Sequence, residues 1–126
     1  MRSDTANRAP DSIRRHTTGI RARLEGPRVQ VTFRGEVIAD TRDALRFDET
    51  MYAAVYYFPR EDVRMERLER SSHESFCPRK GCATYFSIKG GPKNAGWSYE
   101  DPYDDMSVIE GRIAFRPDKV DSILVG

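Results

Sequence analysis

The sequence lacks any long hydrophobic run. No apolar stretch is long enough to cross a bilayer as a helix. The first residues also lack the apolar segment that a secretory signal requires. Together these absences predict a cytoplasmic protein without a membrane partner.

Cysteine is also scarce, with two residues in a chain of 126. Cys77 and Cys82 are too few for a disulfide framework, and in a reducing compartment we expect both to be free thiols. Their C-x4-C spacing, with His73 just before it, is compatible with zinc, but structural zinc usually takes two short pairs of ligands. A second pair is missing and His16 lies far away, so we predict no metal site.

The charges nearly balance, with a formal net charge of +1. Residues 1–27 hold six arginines and three acidic residues, so the remainder of the chain is slightly acidic. In that remainder the aromatic residues lie among acidic residues, which is not typical of a nucleic-acid-binding protein. We therefore predict no nucleic-acid partner.

The spacing of Ile13, Ile20 and Leu24 permits a short helix that ends at Pro27. We predict that 1–27 is an Arg-rich flexible or partly helical segment; alternatively, it recruits a protein partner, as in a protein-interaction domain.

The remainder, 28–126, shows no long helical period and is short enough to be one domain. Apolar and polar residues alternate in short segments between turns rich in Gly, Pro and Asp. This pattern predicts a single, mainly β domain with little helix, of the sandwich or barrel type. Strands are predicted at 28–33, 36–40, 44–47, 51–58, 65–70, 82–88, 95–99, 111–116 and 120–125, with 71–81 irregular.

The segment 71–105 contains both cysteines and the only tryptophan of the chain. Cys77 is a candidate nucleophile if nearby positive charge favours its thiolate, and His73, four residues earlier, is a candidate base. Lys80 is the third candidate catalytic residue. One alternative is therefore an enzyme of unknown reaction, and the other is a structural cysteine that precedes a Pro-Gly turn.

Lys80 and Gly81 could also present an ammonium group and backbone N–H groups to an anion. The phosphate-binding patterns G-x-x-x-x-G-K-[ST] and G-x-G-x-x-G are missing, however, so the signal for a nucleotide site is weak. A structural turn is the simpler interpretation.

Four acidic residues gather near the end of this segment: Glu100, Asp101, Asp104 and Asp105. Carboxylate oxygens could hold Mg²⁺ or Ca²⁺, but the spacing does not fit the calcium-binding EF-hand loop. We expect a solvated acidic loop.

Aromatic residues are concentrated in the same segment. Along a strand Trp97 and Tyr99 share one face, and a hairpin of 82–88 with 95–99 would bring Tyr85 near them. Rings in a concave site suit a planar or apolar ligand, although ordinary core packing is the alternative. We predict a small-molecule site with Lys80 at its mouth, binding an anionic group, in a monomer or homodimer. Its predicted ligand-binding residues are Tyr57, Lys80, Tyr85, Trp97 and Tyr99; the sequence names neither the ligand nor a cofactor.

Several motifs together resemble a known family. They are GEVIADT at 35–41, FPREDV at 58–63, CPRKG at 77–81, Tyr85, AGWSYEDP at 95–102 and IAFRPDKV at 113–120. In this order they are similar to the bacterial domain-of-unknown-function family numbered 427, and the resemblance covers most of 28–126.

The resemblance implies a small, largely β fold near the tent-like or barrel-like two-sheet domains. The family is loosely labelled nucleotidyltransferase, but the Gly-Ser and Asp-x-Asp pattern of such enzymes is absent from this chain. Cys82 also departs from the polar residue or His that the family usually shows there. The resemblance implies pocket or scaffold positions, without defined roles, at Cys77, Lys80, Tyr85, Trp97 and Tyr99.

Overall fold

The computed structural model describes residues 20–24, 28–49 and 52–126. Within them the fold is mainly β, and no helix reaches seven residues, so the predicted fold class is confirmed. The strands are β1 (Ile20–Leu24), β2 (Val29–Phe33), β3 (Glu36–Thr41), β4 (Leu45–Glu49), β5 (Val55–Tyr57), β6 (Leu68–Cys77), β7 (Gly81–Ile88), β8 (Gly96–Ser98), β9 (Ala114–Phe115) and β10 (Ser122–Val125). Short 3₁₀ helices occupy Arg60–Asp62, Met65–Arg67, Asp104–Ile109 and Pro117–Lys119. Among the described residues, no helix has the length and apolar character needed to cross a membrane.

The first sheet has the strand order β10-β2-β3. Val29 and Val31 of β2 are fully buried, as their alternation with polar residues predicts. Arg34 and Gly35 connect β2 to β3 with φ angles of 50° and 78°. A two-residue hairpin turn of type I′ has this left-handed backbone at both positions, and the predicted hairpin is confirmed.

The second sheet has the order β6-β7-β8-β9 and supplies one wall of the candidate site. Strand β6 runs through Ser71–Cys77, so the prediction of an irregular 71–81 is wrong. Because β6 is an edge strand with polar residues exposed on both faces, it carries no alternating apolar signal. The predicted strand at 65–70 likewise begins as a 3₁₀ helix and becomes a strand only at Leu68.

The third sheet has the order β1-β4-β5. Ile20–Leu24 pairs with Leu45–Glu49 as a strand, whereas the sequence predicted a flexible or partly helical segment over 1–27. The other residues of 1–27 lie outside the described part of the chain. Strand β5 is confined to Val55–Tyr57, shorter than the predicted 51–58.

The described residues thus form three sheets rather than two, and none of the three closes into a barrel. The exposed turn at Arg42 and Asp43 separates β3 from β4, and the two strands pair with different partners.

Strand β7 is buried on both faces and separates the core into two clusters. Phe86 and Ile88 of β7 lie in one cluster with Val29 and Val31 of the first sheet. Ala83 and Tyr85, on the other face of β7, lie in a second cluster that includes the inward face of β4 and β5. Since the pleat of a strand alternates its side chains, β7 faces both clusters, and the candidate site opens beside the second.

Candidate functional site

A cavity of about 510 Å³ lies between the second and third sheets. This volume falls within the range of sites for small organic molecules. Its walls are mostly aromatic and aliphatic, and four segments distant in the chain contribute to them. The lining residues that carry the argument below are Phe47, Glu49, Tyr57, Lys80, Tyr85 and Trp97.

Strand pairing places the rings. Tyr85 of β7 lies directly opposite Trp97 of β8, as the predicted hairpin requires. Tyr57 enters from β5 in the facing sheet, where β5 pairs with β4. The structure therefore brings together around one cavity all five residues that the sequence predicted as ligand-binding: Tyr57, Lys80, Tyr85, Trp97 and Tyr99. Their binding role stays a prediction.

The rings of the two sheets meet edge to face. The Tyr57 and Trp97 ring centroids lie 6.4 Å apart at an interplanar angle of 88°. On the other side of Tyr57, the Phe47 ring lies 5.9 Å away at 75°. Such T-shaped contacts are favourable for aromatic pairs, so the aromatic wall is held in place before any ligand binds.

Burial keeps the tyrosine hydroxyl groups of this wall protonated. Desolvation raises the pKa of Tyr57 to about 12, and it raises the pKa of Tyr99 as well. Like any tyrosine, both are neutral at pH 7 and can donate hydrogen bonds, and the raised pKa values extend this state into the alkaline range. A ligand that presents an acceptor, such as a carbonyl or carboxylate oxygen, suits these groups.

Tyr85 lines the cavity and also contacts two side chains of β6. Its hydroxyl oxygen lies 3.0 Å from Ser75 Oγ, and its ring lies 4.6 Å from the exposed His73 imidazole. His73 is thus a neighbour of Tyr85. Because β6 is extended, the Cα atoms of His73 and Cys77 are separated by roughly 13 Å, a span that gives no support to a direct Cys–His pair.

The two cysteines lie on opposite faces of the second sheet. Cys77 is half-buried and lines the cavity, whereas Cys82 is exposed on β7 opposite Phe76. Within the described ranges, no three His, Cys, Asp or Glu side chains are grouped so that they could hold a metal ion. Cys77 pairs with Gly81 where β6 turns into β7, so the C-x4-C spacing reflects the short turn of a hairpin.

Glu49 is a cavity residue that the sequence interpretation missed. Its carboxylate oxygen Oε1 accepts a hydrogen bond from Lys80 Nζ at 3.1 Å, and Oε2 accepts one from the Arg79 guanidinium. Glu49 and Lys80 are almost buried, with side-chain exposures of 14% and 12%. The alternation of Leu45, Phe47 and Glu49 along β4 was the available signal, since it places all three on one face.

A family model described as Domain of unknown function (DUF427) matches residues 21–126. The chain belongs to this family. The resemblance seen in the sequence motifs is therefore confirmed, and the matched range includes every lining residue of the cavity. Among curated proteins, no match is found.

The acidic loop of this DUF427 chain covers the second cluster. Asp104–Ile109 is a 3₁₀ helix whose Met106 and Ile109 are buried. Before it, the Glu100 carboxylate accepts two hydrogen bonds from Arg60, at 2.8 and 2.9 Å. These bonds lower the pKa of Glu100, so this carboxylate belongs to a structural ion pair.

Proposed function

We propose that this protein binds a small planar organic molecule in the aromatic cavity. The observation that carries the proposal is the meeting of Tyr57, Tyr85 and Trp97 around one cavity of about 510 Å³. Concave sites of this size, with mostly apolar walls and a few polar groups, are where proteins bind small molecules.

The polar groups of the cavity favour ligands with hydrogen-bond acceptors. Tyr57 and Tyr99 carry protonated hydroxyl groups at neutral pH, as ordinary tyrosines do, and burial raises the pKa of each further. Lys80 adds an ammonium group to the lining. A flat aromatic body with a carbonyl or carboxylate substituent would stack on the rings and accept from these donors.

Ligand-observed NMR with a library of planar aromatic fragments tests the proposal. We expect hits whose binding is weakened by Tyr57→Ala. The matched control is Tyr56→Ala, because Tyr56 is the next residue of β5 but packs against the other core cluster. If no fragment binds at millimolar concentration, or if both variants lose binding equally while folded, the proposal is wrong.

A cysteine-dependent enzyme receives less support. Cys77 does line the cavity, but its predicted base His73 contacts Tyr85 instead. A covalent reaction at Cys77 would therefore need another base, and the binding function requires none.

A further inference from the structure

At one corner of the cavity two cations share one carboxylate: Glu49 and Lys80 line the cavity, and Arg79 binds Glu49 from outside the lining. Lys80 and Arg79 both bind the single carboxylate of Glu49. Lys80 is 12% exposed and Glu49 14%, so water screens their charges only weakly. The three side chains together hold an excess of one positive charge at the edge of an aromatic site.

The backbone fixes the position of this corner. The Lys80 N–H donates to the Cys77 carbonyl at 3.2 Å, and the Lys80 carbonyl accepts from Tyr103 N–H at 2.9 Å. Gly81 follows with φ +111°, a backbone conformation that glycine adopts most readily. The ammonium group lies 4.9 Å from the centroid of Phe47, so a cation–π contact also holds it.

The other charged residues of the lining are Arg116 and Asp118, and their charges balance. Arg116 Nε and Asp118 Oδ1 form an ion pair at 3.2 Å on the rim. Glu49 and Lys80 would cancel in the same way if Arg79 were absent. Among the described residues, the excess positive charge at this corner therefore comes from Arg79, which binds Glu49 but does not itself line the cavity.

We propose that the ligand is an aromatic acid, whose carboxylate binds Lys80 beside Glu49, while Arg79 offsets the charge of Glu49. The Lys80 ammonium group has more N–H donors than one carboxylate can occupy. A second carboxylate would use the remaining donors and neutralise the corner, and charge-assisted bonds of this kind are among the stronger ones. This inference rests on the proposed function, since the rings must hold the aromatic body.

A matched pair of probes separates the inference from the proposed function. Naphthalene-2-carboxylate and naphthalene-2-carboxamide have the same rings, but only the acid is charged. By calorimetry at low ionic strength, we expect the acid to bind at least about tenfold more tightly. An amide that binds as tightly as the acid overturns the inference and leaves the binding function in place. If neither probe binds, this result counts against the proposed function and the inference falls with it.

Two variants change the corner in opposite directions. Lys80→Met should remove the preference for the acid, whereas Lys89→Met, at an exposed lysine outside the lining, should keep it. Glu49→Gln leaves two cations without their carboxylate and should increase affinity for the acid by about tenfold or more. An increase in affinity is not a result that misfolding produces. Weaker acid binding by folded Glu49→Gln would contradict the inference.

Discussion

The Trp97 indole donates its N–H to the hydroxyl oxygen of Tyr57 over 3.4 Å. The two residues belong to different sheets, β8 and β5, and their rings also meet nearly perpendicularly. This contact is long for a hydrogen bond, but it joins the two walls of the cavity directly.

The contact predicts different effects for two neighbouring tyrosines. Tyr57→Phe removes the acceptor and should lower the free energy of unfolding by about 1 kcal/mol, with a shift in tryptophan emission. Tyr56→Phe should leave the emission unchanged, because Tyr56 packs against the other cluster. Denaturant titration and fluorescence of the single tryptophan measure both effects. Equal spectra for the two variants would contradict the contact.

The raised pKa values predict loss of stability at alkaline pH. Tyr57 titrates near 12 in the folded protein against 10.0 for an ordinary tyrosine. Its folded pKa is raised, so the stability it contributes is complete below pH 10 and is lost as pH rises through 12. The linked loss amounts to roughly 2 to 3 kcal/mol.

Phenolate absorbance and thermal unfolding test this prediction together. Of the six tyrosines, Tyr57 and Tyr99 should ionise last, and Tyr57→Phe should reduce the pH dependence of stability above pH 10. Early ionisation of all six in the folded protein would refute it.

The ion pair of Arg60 and Glu100 predicts acid sensitivity. Bonds from Arg60 lower the pKa of Glu100, so its contribution to stability is present above the unfolded pKa and is lost as pH falls below about 4.5. Both side chains are 37% exposed, and we therefore expect Glu100→Gln to cost only about 1 kcal/mol. The control is Glu61→Gln, at an exposed position, which should not change stability in urea titrations at pH 7.

Gly81, the first residue of β7, should be sensitive to substitution because of its backbone conformation. Gly81→Ala places a side chain at φ +111° and should destabilise the fold by about 1 to 3 kcal/mol. The nearest backbone atom would lie 3.6 Å from the new Cβ, an ordinary contact, so the cost comes from the backbone conformation. Cys82→Ala, at the next and exposed position, should be nearly neutral. Equal melting temperatures for the two variants would show that the turn adapts.

The labelling rates of the two cysteines should show where a ligand binds. Cys82 is exposed and should react rapidly with iodoacetamide, while half-buried Cys77 should react more slowly. A ligand in the cavity should slow the labelling of Cys77 and leave Cys82 unaffected. Peptide mass spectrometry after timed labelling measures both rates. Protection of Cys82 alone would place the ligand on the other face of the sheet.

The sequence predicted those parts of the fold where one strand face is buried and the other is not. Strands β2 and β3 follow the alternation of 28–33 and 36–40, and the pairing of Tyr85 with Trp97 follows from a local hairpin. The part of β6 after Arg70 was missed because Ser72, His73 and Glu74 are exposed whichever way they point. Its strand character comes from pairing with β7, which a local pattern does not encode.

The sequence predicted which aromatic residues line the cavity, but it did not predict the contact between the charged residues Glu49 and Lys80. Trp97 and Tyr85 are neighbours through a short hairpin, so their position is local information. The contact of Glu49 with Lys80 joins residues 31 positions apart and depends on how the second and third sheets face one another. That arrangement is set by packing of the whole domain.

The cavity walls come from residues within 47–57, 77–85, 97–99 and 116–118. During synthesis, the last of these leaves the ribosome long after the first. A nascent chain that ends before residue 117 would lack the rim formed by Arg116, Pro117 and Asp118. The cavity would therefore stay incomplete until synthesis has passed residue 118, and a fragment limited to β7 and β8 would not reproduce it.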